Sequence, residues 1–256
     1  MSNIAYARPS STVVLVRAAA AEPELFMVKR HEKSSFGAAY AFPGGVLDSD
    51  DAAVHEFCSV VGEFEANAHL GVRSKGLDYY SAAIRELFEE SGVLLADIDQ
   101  VDEDLGAVRD GLNCGAEDWS DFVTRNRLQL YCDKLFYISH WITPQVLKKR
   151  YSTRFFLAEM PADQQASHCG GELTDSCWIS AHDMLEAGRA GKADLHFPTI
   201  KTLESIARHK TLDELVEWAS SCVQWGVTSM LPAVVIRDGE KHIALPGEKD
   251  YPGVKS

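Results

Sequence analysis

Glu86, Glu89 and Glu90 carry the strongest chemical signal in the chain. They lie in the run Arg85-Glu86-Leu87-Phe88-Glu89-Glu90-Ser91-Gly92-Val93, at spacings i, i+3 and i+4. On an α-helix this spacing sends all three carboxylates from one face, within side-chain reach of one another. Like charges so placed cost about 0.2–0.5 kcal/mol per pair, and the negative end of the helix macrodipole adds to that penalty. A divalent cation relieves both. Hard ions such as Mg²⁺ take carboxylate oxygens and keep water positions that a phosphate can occupy. A solvated acidic face is the plainer interpretation of the same three residues.

The neighbours favour the cation. Arg85 can brace a carboxylate, and Gly92 supplies a helix stop. Upstream, Phe42-Pro43-Gly44-Gly45 forms a rigid turn whose glycines admit close backbone approach. Together these residues resemble the signature of the Nudix hydrolases, Gly-x5-Glu-x7-Arg-Glu-U-x-Glu-Glu-x-Gly-U, where U is a bulky aliphatic. The later half matches at Arg85, Glu86, Leu87, Glu89, Glu90, Gly92 and Val93, and the earlier half at Gly45. The pattern leaves 13 residues between its first Gly and its Arg, whereas residues 46–84 make 39 here, so 26 extra residues split the motif. Counting back eight from Arg85 gives Leu77 where the pattern asks for Glu, with Asp78 one position out of register.

The resemblance implies an α/β fold, a Nudix-type α/β/α sandwich with a mixed sheet, and metal-dependent hydrolysis of a diphosphate bond. Carried over by position, Glu86 and Glu90 become metal ligands and Glu89 a third ligand or the base. The Gly44 carbonyl completes the site for Mg²⁺ or Mn²⁺, and Arg85 holds Glu89 or Glu90. Several family members place a further carboxylate on a late loop, and Glu172 in Gly170-Gly171-Glu172-Leu173-Thr174 is the candidate here, with His168 as a lesser accessory. Residues 25–48 also look like the coenzyme A diphosphatase branch, the group related to the peroxisomal enzyme of animals. Substrate contacts are expected from Arg30, in the basic cluster Lys29-Arg30-His31, from Phe42 and Gly45 in the turn, and from Arg154.

Composition narrows the partners. A formal net charge of −13 argues against nucleic acid or an anionic membrane as general ligand. A small nucleoside diphosphate derivative remains compatible, since a bound cation and local basic groups suffice to hold it. The first choice is coenzyme A or an acyl derivative, followed by ADP-ribose or NADH, and a catalytically silent nucleotide sensor is the alternative of another class. Six cysteines with no Cys-x-x-Cys pair point to free thiols in a reducing, cytoplasmic setting. No apolar run reaches transmembrane length. The sequence is compatible with a homodimer.

The elements that must position the site follow from periodicity and punctuation. Residues 11–17 and 24–30 have the β-rich pattern of neighbouring strands. Residues 48–77 form an insertion, with Val54, Phe57, Val60, Val61 and Phe64 spaced as the apolar stripe of one amphipathic helix or two short ones. The spacing of His55, Cys58 and His69 lacks a fourth metal ligand. Residues 78–91 form the glutamate helix, capped by Asp78 or Ser81, and 93–95 a short buried strand. A helical elaboration spans 97–130. Strands follow at 132–142, 153–160 and 177–179, with a short helix opening at Pro144. Helices at 181–190, 198–209 and 212–222 and a closing hairpin around Asp238-Gly239 complete the chain. All of it, 1–256, is expected to form one unit in which 198–256 is a C-terminal extension.

Overall fold

The computed structural model describes residues 4–30, 39–171, 173–237 and 239–252. Its first strand, β1 (Ala7–Arg17), pairs in parallel with β6 (Arg150–Glu159) along almost its whole length and on its other side meets β2 (Glu24–Arg30) only at its C-terminal end. There β1 and β2 diverge. The short strands β3 (Tyr40–Ala41) and β4 (Gly44–Val46) fill the cleft between them, β3 on β2 and β4 on β1. β5 (Phe136–Ile142) lies outside β6, and β7 (Leu173–Ser180) outside β2. With β8 (Ser229–Met230) on β5 the result is an eight-stranded mixed sheet.

Alternation along the central strands decides what covers each face. Val13, Leu15, Phe26, Val28 and Phe156 point into one core, and Val14, Val16, Leu25, Met27 and Leu157 into the other. Strands buried on both faces need a helical layer on each. The first layer holds α1 (Asp50–Ala53), α2 (Glu63–Leu70), α3 (Gly76–Ser91), α4 (Leu105–Cys114) and α5 (Trp119–Asn126). The second holds α6 (Ala181–Arg189), α7 (Phe197–Ile206) and α8 (Leu212–Trp225). This is the α/β/α sandwich expected. A separate two-stranded ribbon, β9 (Ala233–Arg237) and β10 (Glu240–Ala244), matches the closing hairpin, although Asp238 at its turn lies outside the described residues. Among the described residues no helix is long and apolar enough to cross a membrane.

Several local expectations change. Residues 93–95 are buried but extend into no strand; only Ala96 makes an isolated bridge, to Leu130. Pro144 opens a turn rather than a helix. In the insertion, Phe64 is 88% and Val60 81% exposed, so the apolar stripe does not form. The chain turns with Val60 at a left-handed φ of 65°, and the inward residues are Val54, Val61, Ala66 and Leu70. The glutamate helix starts at Gly76, two residues before the cap candidate Asp78, and its N-cap position, Lys75, uses no side chain of its own. Glu63 and Asn67 of α2 supply the acceptors instead: Glu63 takes the Lys75 N–H at 2.6 Å and the Leu77 N–H at 3.3 Å, and Asn67 Oδ1 takes the Gly76 N–H at 2.8 Å.

Candidate active site

Packing against β1 and β4 brings the last two turns of α3 over the glycine turn. Gly45 lies so close beneath Glu86 that a Cβ there would collide with the Glu86 carboxylate. At Gly44, which has φ +154°, a Cβ would meet the β1 backbone at Ser11 and Thr12. These are close approaches that only glycine permits. Val13 of β1 donates to the Pro43 carbonyl at 2.8 Å and anchors the turn.

The three glutamates are not a solvated face. Side-chain exposure is 12% for Glu86, 18% for Glu89 and 8% for Glu90. Burial pushes the Glu86 carboxyl up to about 8; Arg85 pulls against that, while Glu90 and Glu89 add to it. Glu89 is likewise raised, first by burial and against the pull of Arg85. Arg85 sits at the hub. Its Nη1 donates to Glu86 Oε1 at 2.9 Å and Glu89 Oε2 at 3.2 Å, and its Nη2 to the Val46 carbonyl at 3.1 Å. Burial would lower its pKa, but Glu86, Asp51 and Glu89 more than offset this.

The other face of the Arg85 fork holds a residue that sequence reasoning missed. Asp51, fully buried, accepts from Arg85 Nε at 2.9 Å through Oδ1 and from Nη2 at 3.1 Å through Oδ2. Burial raises its pKa and the Arg85 contacts work the other way. Asp51 is the sixth residue after Gly45. Counting forward from the glycine therefore finds an acid where the motif asks for one, whereas counting back from Arg85 crosses the insertion and lands on Leu77. The extra residues enter after this acid, and Asp78 instead meets His55, with Nε2 to Oδ1 at 2.9 Å but off the hydrogen-bond line.

Arg85 braces Glu86 and Glu89, not Glu90. Glu90 is held by Arg30, whose Nη2 donates to Glu90 Oε1 at 2.9 Å, and by the Gly44 N–H, which donates to Oε2 at 2.9 Å. The same Arg30 nitrogen also donates to the Gly44 carbonyl at 2.6 Å. Each carboxylate is hydrogen-bonded to a guanidinium, and among the described residues no three His, Cys, Asp or Glu side chains enclose a metal position. A pocket of ≈ 270 Å³ opens here, lined by Arg30, Gly44, Gly45, Val46, the three glutamates and, opposite, Leu112, Asn113 and Cys169. A roomier hollow of ≈ 520 Å³ beside α8, lined by Phe136, Glu159, Asp213 and Glu217, contains none of the residues singled out by chemistry.

Two expected substrate contacts lie elsewhere. Phe42 is 2% exposed and packs edge-on against Phe155 in the core behind the sheet, because the residue before Pro43 points away from the glutamate layer. Arg154 is 5% exposed under the first turns of α3, with its guanidinium 4.0 Å from the centre of the Tyr79 ring and Nη2 donating to the Leu70 carbonyl at 3.3 Å. Neither reaches the pocket. Arg30 and Gly45 do. Glu172, His31 and residues 36–38 lie outside the described residues. His168 is hydrogen-bonded to Ser176 at 2.9 Å.

The 97–130 elaboration also has a part that its sequence did not announce. From α4, Arg109 Nε and Asn113 Nδ2 donate to the Glu89 carbonyl at 2.9 and 3.0 Å, and Arg109 Nη2 donates to the Ser167 carbonyl at 2.7 Å. A cation and two donors at the C-terminal end of α3 pair a free carbonyl and oppose the helix dipole.

Comparison with known proteins adds three relatives. The chain is 26% identical over 273 residues to the acyl-coenzyme A diphosphatase NUDT19 of Xenopus laevis, covering 90% of this chain and 71% of that protein. It is 25% identical over 208 residues to a putative nudix hydrolase 7 of Caenorhabditis elegans, covering 79% of this chain and 62% of that one. A solved NUDIX hydrolase from Alicyclobacillus acidocaldarius superposes with a TM-score of 0.71 and 25% identity over 82% of this chain and 96% of that one. No protein-family model matches the chain.

Proposed function

The chain is a Nudix hydrolase, and from that premise we propose that it uses Mg²⁺ or Mn²⁺ to split the diphosphate of coenzyme A or an acyl-coenzyme A. The observation that supports the chemistry is the crowding of Glu86, Glu89 and Glu90 around a glycine turn, with two of the three carboxyls raised by burial. Such a donor set suits a hard cation. The substrate choice leans on the likeness to a protein named as an acyl-coenzyme A diphosphatase and on residues 25–48.

Glu86, Glu89, Glu90 and the Gly44 carbonyl would hold the ion. When bound, it supplies polarisation of a phosphoryl oxygen and a more acidic water. The chain does the rest. Asp51 fixes Arg85, and Arg85 fixes Glu86 and Glu89, so the donors are held before substrate arrives. Glu89, the most exposed of the three and raised in pKa, is suited to take the proton from the attacking water; Glu172 is the alternative base. Gly45 leaves room for the Glu86 carboxylate, and Leu112 and Asn113 form the wall facing it. The insertion 48–77, the elaboration 97–130 and the extension 198–256 then serve one unit, with the first two clamping opposite ends of α3.

The test is a panel of coenzyme A, acetyl-coenzyme A, ADP-ribose and NADH with each metal, read as phosphate released after phosphatase coupling. Coenzyme A or its acyl ester is expected to turn over fastest, and Glu90→Gln to cost at least about 10³-fold at an unchanged fold. An unimpaired Glu90→Gln enzyme refutes the site, and preference for ADP-ribose or NADH refutes the substrate.

A further inference from the structure

Arg30 occupies an unusual position. A single nitrogen, Nη2, bridges the Gly44 carbonyl at 2.6 Å and Glu90 Oε1 at 2.9 Å. These are two of the oxygens that the proposed function assigns to the ion. An ion held by these residues would have to take the same two oxygens that this nitrogen now engages. Guanidinium and ion would therefore compete for the same acceptors, and their like charges oppose joint occupancy.

The backbone beside Arg30 is irregular, with the extra residue on β7. The β2–β7 ladder slips between Lys29 and Arg30: Lys29 faces Asp175 and Arg30 faces Leu173, leaving Thr174 as the extra residue. A bulge bends the strand and redirects the side chains beside it. Thr174 Oγ1 donates to the Lys29 carbonyl at 3.3 Å, and the Arg30 N–H bonds the Ala39 carbonyl at 3.2 Å, so the backbone on both sides of the slip is tied down. Removing the guanidinium from the pocket would release its hydrogen bonds to Glu90 Oε1 and the Gly44 carbonyl, while Oε2 of Glu90 keeps its bond to the Gly44 N–H.

We propose that Arg30 is a built-in place-holder for the metal: its guanidinium neutralises Glu90 and the Gly44 carbonyl in the metal-free protein, and it must swing out before an ion can bind. The inference rests on the metal-dependent reading of this site. It makes Arg30 a competitive antagonist of the cation, so its removal should strengthen metal binding, whereas a residue that merely props up Glu90 would weaken it when lost.

The experiment is Mn²⁺ binding to the full chain without substrate, followed by the electron paramagnetic resonance signal of free Mn²⁺ and by calorimetry. Wild type, Arg30→Gln and Arg30→Lys are compared, with circular dichroism to confirm each fold. Arg30→Gln is expected to bind Mn²⁺ about tenfold more tightly, and Arg30→Lys, a point charge that cannot fork between two oxygens, to fall between the two. Mn²⁺ bound by Arg30→Gln and undetectably by wild type is the extreme form of the same result. Equal or weaker binding by Arg30→Gln overturns the place-holder and leaves the metal site standing. Failure of all three proteins to bind overturns both.

Discussion

The start of α3 has no side-chain cap of its own and donates its backbone N–H groups to Glu63 and Asn67 of α2, whereas its last two turns crowd three carboxylates of their own around one pocket. The same residue type behaves in opposite ways at the two ends. For Glu63, burial would raise the carboxyl, but donors from Asn67, Lys75 and Leu77 outweigh it and hold the acid low. For Glu86, burial and two like charges win over Arg85 and hold it high. A carboxylate surrounded by N–H donors at a helix start is stabilised by the dipole; carboxylates facing one another at a helix end are destabilised by it. The helix is thus held by neighbouring elements at both ends, but it carries its charge repulsion only at the end proposed to bind a cation.

Breaking the hub between those ends should have the largest effect. Asp51 is fully buried with its charge directed into the Arg85 fork. Removing one partner of a buried ion pair costs about 3–5 kcal/mol, so Asp51→Ala should lower unfolding free energy in urea by that amount and, by releasing Arg85, cut turnover about 10–100-fold. A loss under about 1 kcal/mol would mean that Glu86 and Glu89 hold Arg85 without help.

Beneath the first turns of α3 a different group tests the comparison through pH. His140 is 6% exposed and lies across from Arg154 in the β5–β6 ladder, hydrogen-bonded to Ser229 at 2.7 Å and Ser152 at 2.8 Å. Burial first, and then the Arg154 charge, pull its pKa from 6.5 to about 4. The folded state then binds fewer protons than the unfolded one between those values, so stability falls as pH drops from 6.5 towards 4. That difference amounts to about 3 kcal/mol. His140→Gln should remove this part of the acid sensitivity, seen as a flatter profile of urea midpoint against pH. An unchanged profile would place the acid-sensitive group elsewhere.

Sequence alone identified the glutamate helix because i, i+3, i+4 spacing and a following glycine are local facts, and it identified the glycine turn for the same reason. What it could not supply was the side of the sheet. Phe42 and Arg154 have chemistry suited to a nucleotide, yet strand alternation sends one into the rear core and the chain register buries the other under Tyr79. Asp51 was hidden by direction of counting, since an insertion leaves a motif readable only from its intact end. Phe64 failed for a physical reason: its helix begins one residue earlier, at Glu63, and Glu63 must face α3, which turns Phe64 to solvent.

That last orientation yields the smallest and most discriminating prediction. Glu63 closes two backbone donors of a helix whose chemistry lies at the far end, roughly 15 Å away at 1.5 Å per residue. If it is only a cap, Glu63→Ala should cost about 1 kcal/mol in urea unfolding and leave both kcat and Mn²⁺ affinity within about twofold of wild type, with Glu63→Gln recovering part of the stability through its remaining oxygen acceptor. The outcome that breaks the contrast is a loss of stability accompanied by weaker metal binding. It would mean that α3 passes strain from its first turn to its last, and that the insertion shapes the pocket as well as holding the helix beneath it.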